Sequence, residues 1–269
     1  MPTTSYRTAL ITGASSGIGA EYARQLAAKG TNLNLVARRK EKLEALAEEL
    51  QTKYAISIDI IPADLSKTED VTRVETKIAA IPELDLLVNN AGFGTVSRFH
   101  EGDPRSHFDM LQVHVTASVR LTRSVLPGMV ARKRGWIINV ASVAAFFPYG
   151  SVMYPSTKAF LVSFSQALQT ELQGTGIRVQ ALCPGFTYTE FHDVINMDRK
   201  IVPKFMWISA DRVVSTSLKA LPRGRVIVVP GWQYRLIVAL AHFPLISSIV
   251  QWVAASYIFK RRIIHDQHP

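Results

Sequence analysis

Short apolar runs rich in β-branched residues alternate with longer amphipathic segments along the first two thirds of the chain. Strands buried on both faces and helices buried on one face give this alternation in βαβ units. The clearest helix carries apolar residues at helical spacing among charged ones: Leu43, Leu46, Ala47 and Leu50. The predicted strands are 8–12, 32–37, 57–61, 84–89, 136–141, 178–182 and 225–229. The pattern predicts an α/β fold with a doubly wound parallel sheet of about seven strands.

The pattern also indicates where the chain divides. Asp103 followed by Pro104 is typical of a helix start, and the helix predicted there runs toward residues 126–128. Loops beyond the carboxyl edge of such a sheet vary most readily with function, so we expect a substrate lid over about 186–220. We therefore predict one α/β domain over 1–231, followed by an apolar helical extension over 232–269.

The apolar stretch 236–259 is long enough to span a bilayer, and basic residues follow it at 260–262. Polar residues interrupt the stretch, and Pro244 favours a break between two helices. Three interpretations stay open: helices that hood the substrate pocket or form a subunit interface, peripheral membrane contact through 236–262, and a membrane span.

Composition narrows the class of protein. The chain has 269 residues, 48% of them hydrophobic, which is enough for one large core. Cys183 is the only cysteine, so no intramolecular disulfide can form and a reducing compartment is favoured. We expect a cytoplasmic protein without a secretory signal, with peripheral membrane association as an open possibility. The net charge is +10, but the basic clusters are scattered and lack interleaved aromatics, so we predict no nucleic-acid binding.

A glycine-rich turn follows the first predicted strand and precedes a predicted helix. Residues 12–19 read TGASSGIG. In this setting glycines let the backbone turn tightly and approach a pyrophosphate, which binds the amides at the helix N-terminus. The sequence therefore predicts a Rossmann-type turn, with these cofactor-binding residues: Gly13, Ser15, Ser16, Gly17, Ile18 and Gly19.

The residues after the second strand indicate which dinucleotide binds. An NAD-selective site usually places an acidic residue here, whereas this chain has Arg38 and Arg39. The planar guanidinium of Arg38 suits a 2′-phosphate, so we expect NADP(H), with Arg38 as the main partner and Arg39 as a second one. Ordinary solvated charges are the alternative. Further candidates follow the third and fourth strands at the ligand-binding edge of the sheet: Asp64, Asn90, Ala91 and Gly92.

Tyr154 and Lys158 form a candidate catalytic pair. They are four residues apart in a segment of helical character, so their side chains share one face. We expect the Lys158 ammonium to lower the pKa of Tyr154 from its usual ~10, making the phenol a general acid in reduction and a general base in oxidation. Ser142 follows the strand 136–141 and can bind the substrate oxygen. We predict no metal site.

These motifs together resemble the short-chain dehydrogenase/reductase superfamily in order and spacing, over about residues 6–231. They are the glycine turn, Asn89-Asn90-Ala91-Gly92, Ser142, Tyr154 to Lys158, and Pro184-Gly185. The resemblance implies that Asn90 lines the cofactor cleft, that Asp64 lies near the adenine, and that the chain forms homo-oligomers. It also implies that Pro184 and Gly185 contact nicotinamide, with Thr187 or Thr189 near the carboxamide. Residues 126–129 and 153–171 are most similar to the hydroxysteroid and long-chain 3-oxoacyl reductase branch.

One position departs from that family. Where the family usually has an asparagine that helps to hold a water near the lysine, this chain has His114. A neutral histidine both donates and accepts, so we include His114 in the catalytic set as a proton relay that could titrate near neutral pH. The alternative is a core histidine bonded to a backbone carbonyl.

The expected lid is rich in apolar and aromatic side chains, which favours a hydrophobic ketone or aldehyde over a sugar. These residues are Phe146, Phe147, Tyr149, Phe186, Tyr188, Phe191, Phe205, Met206 and Trp207. Core packing is the alternative for them. The leading prediction is an NADP(H)-dependent carbonyl reductase. The alternatives are a non-catalytic NADP(H)-binding scaffold or redox sensor, and an NADP-linked dehydrogenase of retinol-like or steroid alcohols.

Overall fold

Seven parallel strands form a single sheet in the computed structural model of the chain, which describes residues 6–81, 83–95, 99–101, 103–147, 151–191 and 198–241. The strand order is β3-β2-β1-β4-β5-β6-β9, and β7 pairs with β8 separately. The strands are β1 (Thr8–Thr12), β2 (Asn32–Ala37), β3 (Ile58–Pro62), β4 (Leu84–Asn89), β5 (Gly135–Val140), β6 (Ile177–Leu182), β7 (Thr187–Tyr188), β8 (Ile208–Ser209) and β9 (Ile227–Val228).

The predicted Rossmann-type sheet is confirmed. The predicted strands 8–12, 32–37 and 84–89 coincide with β1, β2 and β4. The predicted strands 57–61, 136–141 and 178–182 differ from β3, β5 and β6 by one residue at one or both ends. The last predicted strand, 225–229, is reduced to the two residues of β9. Strand order reverses between β1 and β4, which opens a ligand-binding crevice at their carboxyl ends.

Helices cover both faces of the sheet. They are α1 (Gly17–Ala27), α2 (Lys40–Lys53), α3 (Thr68–Ala79), α4 (Pro104–Leu111), α5 (Ser118–Ala131), α6 (Met153–Glu171), α7 (Ala210–Ala220) and α8 (Trp232–Ala241). Leucines and alanines of α1 and α2 pack in one core cluster together with α7 and α8. Apolar residues of α3, α5 and the end of α6 form the cluster on the other face. The sheet thus lies between two layers of helices, with one core cluster on each face.

The long helix predicted from Asp103 has an interruption that its pattern does not indicate. It begins as predicted, because the Asp103 side chain accepts a hydrogen bond from the Arg105 amide at 2.9 Å and Pro104 occupies the first turn. Between α4 and α5, residues Gln112–Ala117 form a π-helical segment that includes His114. Such segments occur frequently at functional sites.

Part of the expected lid packs in the core, and only the start of the expected extension lies among the described residues. Residues 210–220 of the expected lid form α7, whose apolar face joins the core beside α1, so only the part before it can border the crevice. The extension begins with α8, which packs on the domain through Tyr234 and Val238. The rest of the extension, 242–269, lies outside the described residues. No helix among the described residues is long and apolar enough to span a membrane.

Candidate active site

Two glycines let the turn after β1 pack closely against its neighbours at the crevice. Gly13 has a φ of +65°, and a Cβ there would lie 2.8 Å from the side-chain Nδ2 of Asn90. A Cβ at Gly19 would overlap the Gly13 carbonyl oxygen. Asn90 holds the turn in place by donating to the carbonyls of Thr12 at 2.9 Å and Gly13 at 3.2 Å. A tight turn with glycines at its closest contacts, leading into the N-terminus of α1, fits the pyrophosphate of a dinucleotide.

Thr12 is a residue of this site that the sequence reasoning missed. Its hydroxyl accepts from the amides of Asn90 at 2.9 Å and Ala91 at 3.0 Å, and it donates to the Val88 carbonyl at 3.4 Å. It therefore ties the end of β1 to the end of β4. The position just before the glycine turn, at a strand end, is the signal that could have identified it.

The two arginines after β2 lie differently. Arg39 reaches the glycine turn, with Nη2 3.1 Å from Ser15 Oγ and 2.9 Å from Ser16 Oγ. The exposed Arg38 makes no hydrogen bond or ion pair with any residue that the structure describes. Arg39 is therefore the cation nearest the turn, and contact of Arg38 or Arg39 with a 2′-phosphate stays a prediction.

Asp64 organises the turn that leads into α3. Its carboxylate accepts from the amide and the hydroxyl of Ser66 at 3.1 and 2.9 Å, and its own amide donates to Asp70 Oδ2 at 2.6 Å. The residue lies at the carboxyl end of β3, as predicted. Contact with an adenine stays a prediction.

Three of the four predicted catalytic side chains, Ser142, Tyr154 and Lys158, come together. Tyr154 and Pro155 lie in the first turn of α6. Proline has no backbone N–H, and an N–H at this position would have no hydrogen-bond partner within the helix, so Pro155 is tolerated. Lys158, one turn on, is only 4% exposed, and its Nζ lies 5.6 Å from the centre of the Tyr154 ring. That Nζ donates to the Val140 carbonyl at 2.8 Å, and the Ser142 side chain lies near the Tyr154 hydroxyl. The sheet edge and α6 thus place a phenol, a hydroxyl and an amine in one pocket.

Burial sets the protonation of this pair. Loss of water raises the pKa of Tyr154 to about 12, and the hydrogen bond with Ser142 opposes the rise only in part. The same effect lowers the pKa of Lys158 to about 8. The expectation that Lys158 brings the pKa of Tyr154 below its ordinary value is therefore wrong, because burial of the phenol dominates the shift. At neutral pH the phenol carries its proton, which is the form needed to donate one.

His114 is held by partners on both ring nitrogens. Nε2 accepts from the Phe93 amide at 3.1 Å, so the neutral ring carries its proton on Nδ1 and donates to Thr157 Oγ1 at 2.8 Å. Thr157 in turn donates to the Tyr154 carbonyl at 2.9 Å. Burial, with Lys158 nearby, lowers the pKa of His114 well below its usual range. The expected titration near neutral pH is wrong, and the chain of bonds leads to the Tyr154 backbone rather than to its phenol.

The segment after Pro184 and Gly185 is fixed by a second missed residue, Tyr234 of α8. Its hydroxyl accepts from the Phe186 amide at 2.9 Å and donates to the Met206 carbonyl at 2.6 Å. The ring occupies the space that a Cβ on Gly185 would need. Tyr234 is 2% exposed. No pattern in the sequence connects Tyr234 to this loop, because the two are far apart along the chain.

The predicted threonines border the crevice beyond this loop. Thr187 is buried and donates to the Gly185 carbonyl at 2.9 Å. Thr189 approaches the glycine turn, where a Cβ on Gly17 would lie 3.1 Å from it. Their proximity to a carboxamide stays a prediction.

Aromatic rings line the lid side of the pocket in two ways. Phe191 lies beside Tyr154, with ring centres 5.7 Å apart. Phe186 and Tyr188 instead pack on Trp207, at 5.6 and 4.9 Å. Part of the aromatic content therefore serves packing within the lid, as the alternative interpretation held. Tyr149 lies outside the described residues.

Residues 7–200 match the family model described as short chain dehydrogenase. The chain belongs to this family of oxidoreductases. Its members with solved structures include a short-chain dehydrogenase from Sphingobium yanoikuyae in complex with NADPH, 32% identical, with a TM-score of 0.80 over 97% of this chain and 96% of that one. The short-chain dehydrogenase fold and the predicted family resemblance are thus confirmed.

Two curated relatives point to the predicted branch. The very-long-chain 3-oxoacyl-CoA reductase-A of Danio rerio is 37% identical over 68% of this chain and 58% of that protein, so the match spans less than two thirds of the relative. The 17-beta-hydroxysteroid dehydrogenase type 3 of Homo sapiens is 33% identical over 80% of this chain and 68% of that protein. The chain is similar to the hydroxysteroid and 3-oxoacyl reductases of the short-chain dehydrogenase family.

Proposed function

We propose that this short-chain dehydrogenase reduces the carbonyl group of a hydrophobic ketone or aldehyde with NADPH, using Tyr154 as the general acid. The observation that carries the proposal is the pocket in which Tyr154, close to Ser142, lies over the buried amine of Lys158. The glycine turn held by Asn90 borders the same crevice. Together they supply a cofactor cradle and a proton donor at one edge of the sheet.

The residues divide the reaction between them. Bound NADPH supplies the hydride that reaches the carbonyl carbon. The hydroxyls of Ser142 and Tyr154 hold the carbonyl oxygen, and Tyr154 transfers its proton to that oxygen as negative charge develops. Lys158, charged below a pKa of about 8, stabilises the phenolate that remains. His114 and Thr157 act on the backbone of Tyr154 and keep the first turn of α6 in place.

The cofactor preference rests on charge at the end of β2. No acidic residue lies there, and Arg39 with nearby Lys42 offers two cations to a 2′-phosphate. A similar protein was solved with NADPH. We therefore propose NADP(H) rather than NAD(H).

The substrate class rests on the lid and on the relatives. Phe191 presents an aromatic face beside Tyr154, and the relatives named above act, by their names, on 3-oxoacyl-CoA and hydroxysteroid compounds. The same residues run the reverse reaction, so oxidation of a retinol-like or steroid alcohol uses this site too.

Association with other molecules is proposed from the exposed apolar side chains. Phe108 and Leu111 of α4 and Phe160 of α6 are exposed, which supports self-association of the chain. Trp232 and Leu236 of α8 are exposed just before 242–269, so peripheral membrane contact by an otherwise cytoplasmic protein stays a proposal. Vesicle sedimentation of the full chain and of a chain ending at residue 241, which keeps Tyr234, tests that contact.

The function is tested with the full-length chain, NADPH or NADH, and matched panels of carbonyl compounds: long-chain, steroid and aryl ketones or aldehydes against sugars. We expect NADPH consumption with hydrophobic members of the panel and much slower consumption with NADH. Tight NADPH binding without consumption across the panel would instead favour the non-catalytic scaffold.

A further inference from the structure

One carboxylate links the lid to the cations that follow β2. Glu190 Oε2 lies 3.0 Å from Arg39 Nη1, and Glu190 Oε1 lies 2.7 Å from Lys42 Nζ. The two cations lower the pKa of Glu190, so the carboxylate is charged at neutral pH. Both of its oxygens therefore form ion pairs with Arg39 and Lys42, the two cations proposed above to bind the 2′-phosphate of the cofactor.

Arg39 holds this carboxylate and the glycine turn together. Its Nη2 lies 2.9 Å from Ser16 Oγ while its Nη1 contacts Glu190. Ser15 Oγ lies 3.1 Å from the same Nη2. Through one guanidinium, Glu190 is thus attached to the rim of the cofactor cradle.

The residues on either side of Glu190 lie over the two halves of the site. Thr189 approaches Gly17 of the glycine turn, and Phe191 packs beside the catalytic Tyr154. We call residues 189–191 the strap. Its central side chain contacts the phosphate-binding cations, while its ends border the pyrophosphate cradle and the phenol.

We propose that Glu190 is a specificity-determining residue that competes with the 2′-phosphate of NADP(H) for Arg39 and Lys42. The proposal rests on the proposed NADP(H) preference. A phosphate monoester carries about −1.5 to −2 charges at neutral pH, against one for a carboxylate. The phosphate therefore displaces Glu190 from the guanidinium, but part of its binding energy is used to break the two ion pairs.

Two consequences follow for the cofactor. Glu190 keeps the affinity for a 2′-phosphate below what the two cations would give alone, which speeds release of the spent cofactor. A dinucleotide without that phosphate leaves Glu190 paired and gains nothing from Arg39 or Lys42. The carboxylate therefore weakens binding of only the phosphorylated form.

The test is calorimetric titration of the full chain with 2′,5′-ADP and with 5′-AMP, which differ only by the 2′-phosphate. We expect Glu190→Gln to bind 2′,5′-ADP roughly three- to tenfold more tightly than the wild type, with 5′-AMP unchanged. Glu44→Gln is the matched control, since it removes the same charge from a carboxylate that pairs with Lys40 at 3.3 Å on α2. It should bind both ligands as the wild type does.

Other results would overturn the inference. Unchanged or weaker binding of 2′,5′-ADP by Glu190→Gln would mean that Glu190 positions Arg39 rather than competing for it. An equal gain in affinity for 2′,5′-ADP in Glu44→Gln would show that the effect comes from net charge rather than from the contacts of Glu190. A wild type that binds the two ligands equally well would instead refute the NADP(H) preference of the proposed function.

Discussion

Replacing Tyr234 by phenylalanine removes one oxygen atom and two hydrogen bonds from the loop that follows Gly185. The ring stays, so the contact with Gly185 is kept, while the Phe186 amide and the Met206 carbonyl lose their partner. We expect this variant to loosen the segment that borders the cofactor crevice without emptying the core.

The cost follows from the two groups left unpaired. A buried polar group without a partner costs about 1–3 kcal/mol. Phe186 and Met206 are half-buried, so water can reach them in part, and we expect a loss of about 2 kcal/mol in the free energy of unfolding. For a domain of this size that corresponds to a fall of about 4–8 °C in Tm.

Thermal and urea unfolding measure this loss, with Tyr188→Phe as the control. Tyr188 lies in the same lid, is 48% exposed, and its hydroxyl has no partner among the described residues, so its loss should change Tm by less than about 2 °C. KM for NADPH should rise in Tyr234→Phe and stay constant in the control. Equal effects of the two substitutions would refute the idea that Tyr234 anchors the loop.

Three further predictions concern the active site. The kcat/KM for reduction should fall as pH rises above about 8, because Lys158 loses its charge there. The pH profile should show no change in kcat/KM near pH 6–7, because His114 stays neutral. A kcat/KM that stays constant through pH 8 would contradict the role of Lys158. His114→Ala should lower the free energy of unfolding by about 3 kcal/mol in urea titrations, since the partners on both nitrogens are lost, and a loss below about 1 kcal/mol would count against that network. Gly19→Ala should abolish NADPH binding in fluorescence titrations, because its Cβ would overlap the Gly13 carbonyl, whereas Gly128→Ala, which meets only the flexible end of Arg132, should bind normally.

The sheet is predictable because its strands carry their own signal. β1, β2 and β4 are short, mostly apolar segments, and a strand buried on both faces needs such a segment. The glycine turn and the pair of Tyr154 and Lys158 are likewise local patterns. Their spacing alone places them at the carboxyl edge of the sheet and on one helix face.

What the sequence does not reveal depends on contacts between distant segments. The π-helical segment around His114 is accompanied by bonds to Phe93 and Thr157, and no periodicity indicates it. Which of Arg38 and Arg39 lies nearer the glycine turn depends on which side chain meets Ser16 and Glu190. The pKa of Tyr154 depends on how far the folded chain removes the phenol from water.

The most direct test of the proposed mechanism is Tyr154→Phe, assayed for NADPH consumption with a hydrophobic ketone and for NADPH binding by fluorescence. The ring keeps its place beside Phe191 and His114, so we expect the Kd for NADPH to change by less than about twofold. Loss of the proton donor should lower kcat/KM by roughly 10²–10⁴-fold. Retention of wild-type kcat/KM in Tyr154→Phe would contradict the assignment of Tyr154 as the general acid.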